Sequence, residues 1–260
     1  MVQGKVALIT GGSRGIGLGI ARSLLEAGAQ VCITGRKQPS LDEAVAALDG
    51  GEAVMAVAGA SHDPEHRAAA VAAVIERFGR VDLLVNNAAT NPQYGPLVDA
   101  DLGAVSKVME VNIVAPLGWV QEVWHGWMAA HGGVILNIAS VGGIRPGGAI
   151  GAYNASKAAV IHMTRQLALE LGPRVRVNAI APAVVKTDFA KALYEGREAQ
   201  VAEAYPLKRL GTPQDTASLS RFLLSEEASW ITGETVVIDG GSSLTRRSGS
   251  PSSASGQQGG

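Results

Sequence analysis

A tyrosine and a lysine lie four residues apart in the segment YNASK, at positions 153 and 157. The segment opens a stretch of helical period, and residues i and i+4 project from the same face of a helix. The phenol and the ammonium group would then stand side by side, where a cation lowers the pKa of a phenol from its usual value of about 10. Such a pair also occurs by chance on helix surfaces, so the five residues alone leave both interpretations open.

Four glycines, at positions 11, 12, 15 and 17, occur in the segment TGGSRGIG, which follows the first apolar run of the chain. Between a strand and a helix, Gly11 can form the tight turn, Gly15 can let the backbone approach a pyrophosphate, and Gly17 can let helix and strand pack closely. The helix N-terminus then offers free N–H groups to phosphates. The segment predicts a dinucleotide site, and the alternative is a plain tight turn.

Two basic residues, Arg36 and Lys37, end the second apolar run in the sequence ITGRK. A dinucleotide site for NAD usually has an acidic residue at this point to bind the ribose 2′-hydroxyl. A 2′-phosphate is instead bound by guanidinium groups through paired hydrogen bonds, and Arg14 in the glycine segment adds a second guanidinium. The sequence predicts NADP(H) rather than NAD(H), and the alternative is that these side chains form only a solvated loop.

Short apolar runs such as KVALIT and QVCIT alternate along the chain with longer segments of helical period. Apolar runs without polar alternation are typical of a parallel sheet that is covered on both faces. We therefore expect a doubly wound α/β fold of the Rossmann type, with about seven strands and helices on both faces, in a single domain over residues 1–242. Residues 243–260 are rich in serine and glycine and are predicted to form a disordered tail.

The 260 residues include 22 basic and 23 acidic side chains, for a net charge of −1, and neither sign forms a block. This balance argues against nucleic acid or a membrane surface as a partner. Because no apolar run approaches the ~20 residues that span a bilayer and the N-terminus lacks the features of a signal peptide, we expect a cytoplasmic protein. Cys32 is the single cysteine, and the histidines form no cluster with metal-ligand spacing, so we expect no metal site.

The glycine segment and YNASK, together with NNAA at 86–89, Asn112 and Ser140, resemble the short-chain dehydrogenase/reductase family, in the subgroup of about 250 residues that includes 3-oxoacyl-[acyl-carrier-protein] reductases. The resemblance covers roughly residues 3–242, and the combination is far more specific than any single motif. Two positions depart from the family pattern. Ala89 replaces the glycine of the common NNAG, and Gly59 or Ala60 stands where an aspartate near the adenine is frequent.

The resemblance implies a catalytic tetrad. Tyr153 would be the acid, Lys157 its tuner and a ligand of the nicotinamide ribose, Ser140 the group that orients the carbonyl, and Asn112 the support for a water that relays protons. Considered alone, Ser140 could simply turn the chain and Asn112 could be an ordinary helix position. Carried over to this chain, the cofactor contacts would be Gly11, Ser13, Arg14, Gly15, Ile16, Gly17, Arg36, Lys37, Asn87, Ala88, Lys157, Pro182 and Thr187.

Three tryptophans, at positions 119, 124 and 127, lie in one helical stretch. They could form a wall of the substrate pocket, but we favour a place in the core or at a subunit contact, because aromatic residues are enriched in interfaces. Proteins of the resembling family commonly form homodimers or homotetramers, and the resemblance implies the same here.

The function implied by the resemblance is NADPH-dependent reduction of a ketone. Proteins that are similar to this chain most often reduce 3-oxoacyl thioesters, but only His131 and Arg174 stand near the places where such proteins bind an acyl carrier protein. A free small or cyclic ketone is the alternative, and a non-catalytic NADP-sensing protein is a remote one. The loops at 90–98, 141–151 and 183–205 would select the substrate; Phe189, Leu193 and Tyr194 would either line an apolar pocket or form the buried face of a short helix.

Overall fold

Seven strands and nine helices form residues 1–245, which are the residues that the computed structural model describes. The strands are β1 (Val6–Ile9), β2 (Gln30–Gly35), β3 (Val54–Ala58), β4 (Leu83–Asn86), β5 (Gly133–Ile138), β6 (Val175–Pro182) and β7 (Thr235–Ile238). The helices are α1 (Gly15–Glu26), α2 (Gln38–Leu48), α3 (Pro64–Phe78), α4 (Leu102–Met109), α5 (Ala115–Val123), α6 (Ala129–His131), α7 (Gly151–Leu171), α8 (Glu198–Glu203) and α9 (Pro213–Leu224). Of the predicted tail, residues 246–260 lie outside the described residues, while Ser242–Leu244 forms a short 3₁₀ turn.

All seven strands are parallel and form one sheet in the order β3-β2-β1-β4-β5-β6-β7. The chain therefore winds outward from β1 to β3, returns to the middle, and winds outward again from β4 to β7. This reversal opens a crevice between β1 and β4 at the carboxyl ends of the strands, where doubly wound sheets bind their ligands. The predicted Rossmann-type fold is confirmed.

Both faces of the sheet are buried, which explains why its strands lack polar alternation. In β1, Ala7 and Ile9 pack into the core cluster beneath α1 and α9, whereas Val6 and Leu8 pack into the cluster on the other face, beneath α3 and α5. All four side chains are fully buried. None of the described helices has both the length and the hydropathy of a membrane span.

The helical segment that begins at Leu102 continues to His131 through α4, α5 and α6. It contains two π-helical turns, at Glu110–Val114 and Trp124–Met128. Trp119 is fully buried in the core, and its indole N–H donates to the hydroxyl of Ser61 at 2.9 Å. Trp124 and Trp127 are partly buried against the same core. The packing role that we favoured for the tryptophans is therefore confirmed for Trp119.

Gly12 packs so closely against β2 that no side chain fits there. A Cβ on this residue would lie 2.6 Å from Cγ2 of the buried Ile33. We predict that Gly12→Ala lowers the free energy of unfolding by about 1–3 kcal/mol, since the methyl group overpacks the core. Urea denaturation measures the change. Gly103→Ala is the control, because its Cβ would meet only the exposed Asp101 side chain in the first turn of α4; equal stabilities for the two variants would contradict the prediction.

Candidate active site

The glycine segment forms a tight loop between β1 and α1. Gly11 and Gly15 adopt left-handed backbone angles, with φ of +65° and +58°. A Cβ on Gly17 would lie 2.5 Å from the carbonyl oxygen of Gly11, so the first turn of α1 packs directly on the loop. Arg14, at the N-cap, makes no capping hydrogen bond through its side chain, and the first turn contains no acidic residue. The loop and the helix N-terminus therefore suit the phosphates of a dinucleotide.

The end of β4 is joined to this loop by four hydrogen bonds. The side-chain amide of Asn87 donates to the carbonyl oxygens of Thr10 and Gly11, each at 2.9 Å. In return, the hydroxyl oxygen of Thr10 accepts the backbone N–H groups of Asn87 at 3.0 Å and Ala88 at 3.1 Å. The floor of the crevice is thus fixed at the position where the strand order reverses.

A cleft of about 780 Å³ extends from the glycine loop along the carboxyl ends of the strands. Three predicted site residues do not line it. Gly17 lies beneath the loop, Lys37 is exposed at the N-cap of α2, and Asn112 is buried behind the wall. The predicted residues that do line the cleft are Gly11, Ser13, Arg14, Gly15, Ile16, Arg36, Asn87, Ala88, Ser140, Tyr153, Lys157, Pro182 and Thr187.

Tyr153 and Lys157 lie on the first two turns of α7, as predicted. The Nζ atom of Lys157 is 5.6 Å from the centre of the Tyr153 ring and donates to the carbonyl oxygen of Ile138 at 2.7 Å. Burial lowers the pKa of Lys157 to about 8. Burial likewise raises the pKa of Tyr153 to about 12, a rise that is opposed by hydrogen bonding from Ser140.

The sequence predicted that the lysine would bring the pKa of this phenol below its ordinary value, but in the protein without cofactor the pKa lies above it. Desolvation of the Tyr153 phenolate is the largest cause of the rise, and it exceeds the opposing effect of the hydrogen bond with Ser140. The consequence favours proton donation, because Tyr153 keeps its proton throughout the neutral pH range.

Ser140 follows β5 and begins a 3₁₀ turn. Its hydroxyl oxygen accepts the backbone N–H of Gly142 at 3.1 Å. The hydroxyl also hydrogen-bonds with Tyr153 in the protein without substrate, and its hydrogen can donate instead to a carbonyl oxygen that enters the cleft. Ser140 and Tyr153 consequently present two donors at the same end of the cleft.

Asn112 lies in the π-helical turn between α4 and α5, and π-helical turns are frequent at functional sites. Its side-chain oxygen accepts the N–H of Thr90 at 2.8 Å, and its amide nitrogen donates to the carbonyl oxygen of Thr90 and to the hydroxyl of Ser156, both at 3.0 Å. The Asn112 side chain thus joins the loop after β4 to α7. It positions these elements and does not itself reach the cleft.

Two positioning residues that sequence reasoning missed lie within YNASK itself. Ser156 accepts from Asn112 and donates to the carbonyl oxygen of Tyr153 at 2.7 Å. Asn154 donates to the carbonyl oxygen of Gly147 at 2.8 Å and so holds the loop that follows Ser140. Both are polar residues that lie between Tyr153 and Lys157 in one helix, and this placement is the sequence signal that could have identified them.

At the end of the cleft beneath β2 and β3, the lining residues include Gly59, Ser61 and His62, whereas Ala60 is not among them. The Nε2 atom of His62 lies 2.8 Å from Nζ of Lys107, which also donates to the carboxylate of Glu110 at 2.8 Å. Lys107 comes from α4, and no motif in the sequence pointed to it.

The three loops predicted to select the substrate all contribute residues that line the cleft. The Phe189 ring lies 6.0 Å from the Tyr153 ring, and Leu193 lines the same wall. Tyr194 instead donates from its hydroxyl to the carbonyl oxygen of Thr187 at 3.3 Å and does not line the cleft. Within residues 1–245, no group of three or more His, Cys, Asp or Glu side chains is arranged to hold a metal ion.

Comparison with known proteins agrees with this geometry. A family model described as Enoyl-(Acyl carrier protein) reductase matches residues 11–243. The chain belongs to the short-chain dehydrogenase/reductase family, whose members are oxidoreductases that use NAD or NADP.

Two relatives and one solved structure illustrate the similarity. Dehydrogenase/reductase SDR family member 4 from Sus scrofa is 41% identical over 245 residues, which cover 92% of this chain and 88% of the relative. Tropinone reductase-like 3 from Erythroxylum coca is 38% identical, with 92% and 93% covered. The solved structure, "ElxO with NADP Bound", superposes with a TM-score of 0.86 at 29% identity and covers 93% of this chain and 99% of that one.

The buried ammonium group of Lys157 makes a testable contribution to stability. Below pH 8 the lysine is charged in both the folded and the unfolded protein, so the folded state bears the full cost of desolvation, about 3 kcal/mol. Between pH 8 and the ordinary lysine pKa of 10.5, the folded protein releases a proton that the unfolded chain retains. We predict that over this window the free energy of unfolding rises for the wild type relative to Lys157→Met.

Urea denaturation of both proteins without cofactor, from pH 7 to 10.5, measures this difference. The methionine variant also lacks the hydrogen bond to Ile138. This loss changes the difference in unfolding free energy by a constant amount and does not make the difference vary with pH. A difference that stays flat across the window would show that burial does not perturb the lysine.

Proposed function

We propose that this protein is an NADPH-dependent reductase that interconverts a ketone and a secondary alcohol. The observation that carries the proposal is the placement of the Ser140 and Tyr153 hydroxyls, beside the Lys157 ammonium group, in the same cleft as the phosphate-binding loop. A non-catalytic NADP sensor would not need a protonated phenol and a serine hydroxyl at one point.

The residues of the cleft support the two halves of a carbonyl reduction. When bound, the nicotinamide cofactor supplies the hydride that adds to the carbonyl carbon. Ser140 donates a hydrogen bond to the carbonyl oxygen and fixes its position. Tyr153 transfers its proton to the same oxygen as negative charge develops there, which is general acid catalysis. Lys157 stabilises the phenolate that remains, because an ammonium group nearby favours the charged form.

The choice of NADP(H) over NAD(H) rests on the basic residues at one end of the cleft. Arg36 lines the cleft directly after β2, and Arg14 lines it at the glycine loop. Among the described residues, Asp188 is the single acidic residue that lines the cleft, and it pairs with Arg14 at 3.4 Å. No acidic residue stands next to Arg36 after β2, where a carboxylate would repel a 2′-phosphate. The structural neighbour with NADP bound agrees with the assignment.

A free ketone suits the structure better than a thioester delivered by an acyl carrier protein. His131 stacks on Trp127, with ring centres 3.7 Å apart, and Arg174 donates to the carbonyl oxygen of Ala130. Both basic residues immediately precede strands, so they lie at the amino ends of β5 and β6, whereas the cleft lies at the carboxyl ends. A carrier bound at these residues would be at the far edge of the sheet.

We further propose that the protein works in the cytoplasm as a homodimer or homotetramer. Large apolar side chains stand exposed on Leu169 of α7, on Phe222 of α9 and on Trp230, which is 99% exposed. Aromatic residues of this kind are enriched in subunit interfaces. The cytoplasmic location rests on the sequence features described above.

Removal of the acid tests the mechanism. We predict that Tyr153→Phe lowers kcat/KM for ketone reduction by about 10²- to 10⁴-fold, which is the usual contribution of a positioned general acid, while the Kd of NADPH stays unchanged. NADPH absorbance measures turnover and fluorescence titration measures binding. Tyr194→Phe is the matched control, because it removes a hydroxyl that lies outside the cleft; equal turnover in the two variants would overturn the scheme.

Removal of one guanidinium group tests the cofactor. We predict that Arg36→Ala raises the KM for NADPH about ten- to a hundredfold and leaves the KM for NADH unchanged, because only NADPH has the 2′-phosphate. Lys37→Ala should have a smaller effect, since Lys37 does not line the cleft. Equal catalytic efficiency of the wild type with both cofactors, or undiminished affinity of Arg36→Ala for NADPH, would refute the assignment.

A further inference from the structure

The side chains that line the cleft carry a strong excess of positive charge. A single acidic residue among the described residues, Asp188, lines it. The basic residues that line it are Arg14, Arg36, Lys107, Arg145, Lys157 and Arg197. The chain as a whole has a net charge of −1, so this excess is a local property of the cleft.

Four of these six cations already have a partner or a task. Arg14 donates to Asp188 at 3.4 Å and, with Arg36, faces the site proposed for the cofactor phosphates. Lys107 pairs with Glu110, and Lys157 belongs to the catalytic group. Arg145 and Arg197 remain, and the cofactor and the catalytic step leave both of them unexplained.

Both remaining arginines belong to the substrate end of the cleft. Arg145 lies in the loop between β5 and α7, the same loop that leads from Ser140 to Tyr153. Arg197 lies after β6, in the segment in which the Phe189 ring stands 6.0 Å from the Tyr153 ring. The strands β5 and β6 lie on the opposite side of the switch point from β2, after which Arg36 stands.

The two guanidinium groups have unused donors. Arg145 makes one side-chain hydrogen bond, to the carbonyl oxygen of Ser242 at 3.4 Å. The Arg197 side chain makes no hydrogen bond or ion pair with any residue between 1 and 245, and both residues are exposed. A guanidinium group presents five donors in a planar fork that matches a carboxylate or a phosphate. The apolar side chains of Phe189 and Leu193 line the same cleft and can contact the uncharged part of a bound ketone.

We propose that the ketone reduced by this protein carries an anionic group, a carboxylate or a phosphate, which Arg145 and Arg197 bind at the mouth of the cleft. The proposal rests on the proposed function and adds the class of its substrate. The anion would orient the molecule so that its carbonyl group points inward, towards Ser140 and Tyr153.

Two pairs of ketones, each differing in charge, test the proposal. The first pair is 4-oxopentanoate and its methyl ester, and the second is acetoacetyl-CoA and the neutral N-acetylcysteamine thioester of acetoacetate. For at least one pair, kcat/KM with NADPH should favour the anion. A preference for 4-oxopentanoate over its methyl ester would identify the anionic group of the substrate as a carboxylate. A preference for acetoacetyl-CoA over the neutral thioester, without a preference in the first pair, would identify it as a phosphate.

Variants connect the preference to the two residues. In Arg145→Gln and in Arg197→Gln, the ratio of kcat/KM for the preferred anion over its neutral counterpart should fall by about five- to tenfold, mainly through KM. The lysine variants at both positions should recover part of the ratio. Arg165→Gln, on an exposed part of α7 outside the cleft, is the matched control and should leave the ratio unchanged. The wild-type ratio should also fall with added salt, since exposed charges are screened.

Two results would overturn the inference. One is that the wild-type enzyme reduces the charged and the neutral ketone of each pair equally well. In that case the reduction of these ketones with NADPH still supports the proposed reductase function. The other is a rise in the Kd of NADPH in the arginine variants without loss of anion preference, which would assign these residues to the cofactor. Failure of the wild type to oxidise NADPH with any ketone would count instead against the proposed function.

Discussion

The hydrogen bonds between Thr10 and the backbone of Asn87 and Ala88 join the two strands at which the sheet reverses its order. A parallel sheet wound in two directions must separate its connections at this point, and the separation leaves a crevice at the carboxyl ends. Without a bond across it, the glycine loop and the end of β4 could move apart. The Asn87 amide, which donates to two carbonyl groups of the loop, makes the floor a rigid surface. The remainder of the site is arranged around that floor.

Burial sets the proton chemistry of the catalytic group. Lys157 is almost completely buried, so its ammonium group is costly to keep charged and its pKa falls to about 8. The same surroundings hold the proton on Tyr153. A phenol of this kind donates only when negative charge forms beside it, which is the situation at a carbonyl oxygen during reduction. Desolvation of Lys157 therefore lowers the stability of the folded protein, and desolvation of Tyr153 keeps this residue protonated as a general acid.

The catalytic helix is held by residues that do not take part in chemistry. Asn112 uses a π-helical turn to reach both the loop after β4 and Ser156 of α7. Ser156 in turn bonds to the carbonyl oxygen of Tyr153, and Asn154 holds the loop that carries Arg145. The Asn112 contacts join segments that are distant in sequence, so the position of one phenol depends on the π-helical turn and the loop after β4 as well as on α7.

The sequence by itself determined the fold class, the glycine loop and the pairing of Tyr153 with Lys157, because each depends on local spacing. Apolar runs of strand length, glycines at a strand-to-helix turn and an i, i+4 pair all express themselves within a few residues. Only the tertiary structure decided that Asn112 positions rather than lines the cleft, that Lys37 points away from it while Arg36 does not, and that the pKa of Tyr153 rises. It also brought Arg145 and Arg197 to one cleft from two loops. These outcomes depend on burial and on contacts between segments that are distant in sequence. Neither can be read from the local spacing of residues along the chain.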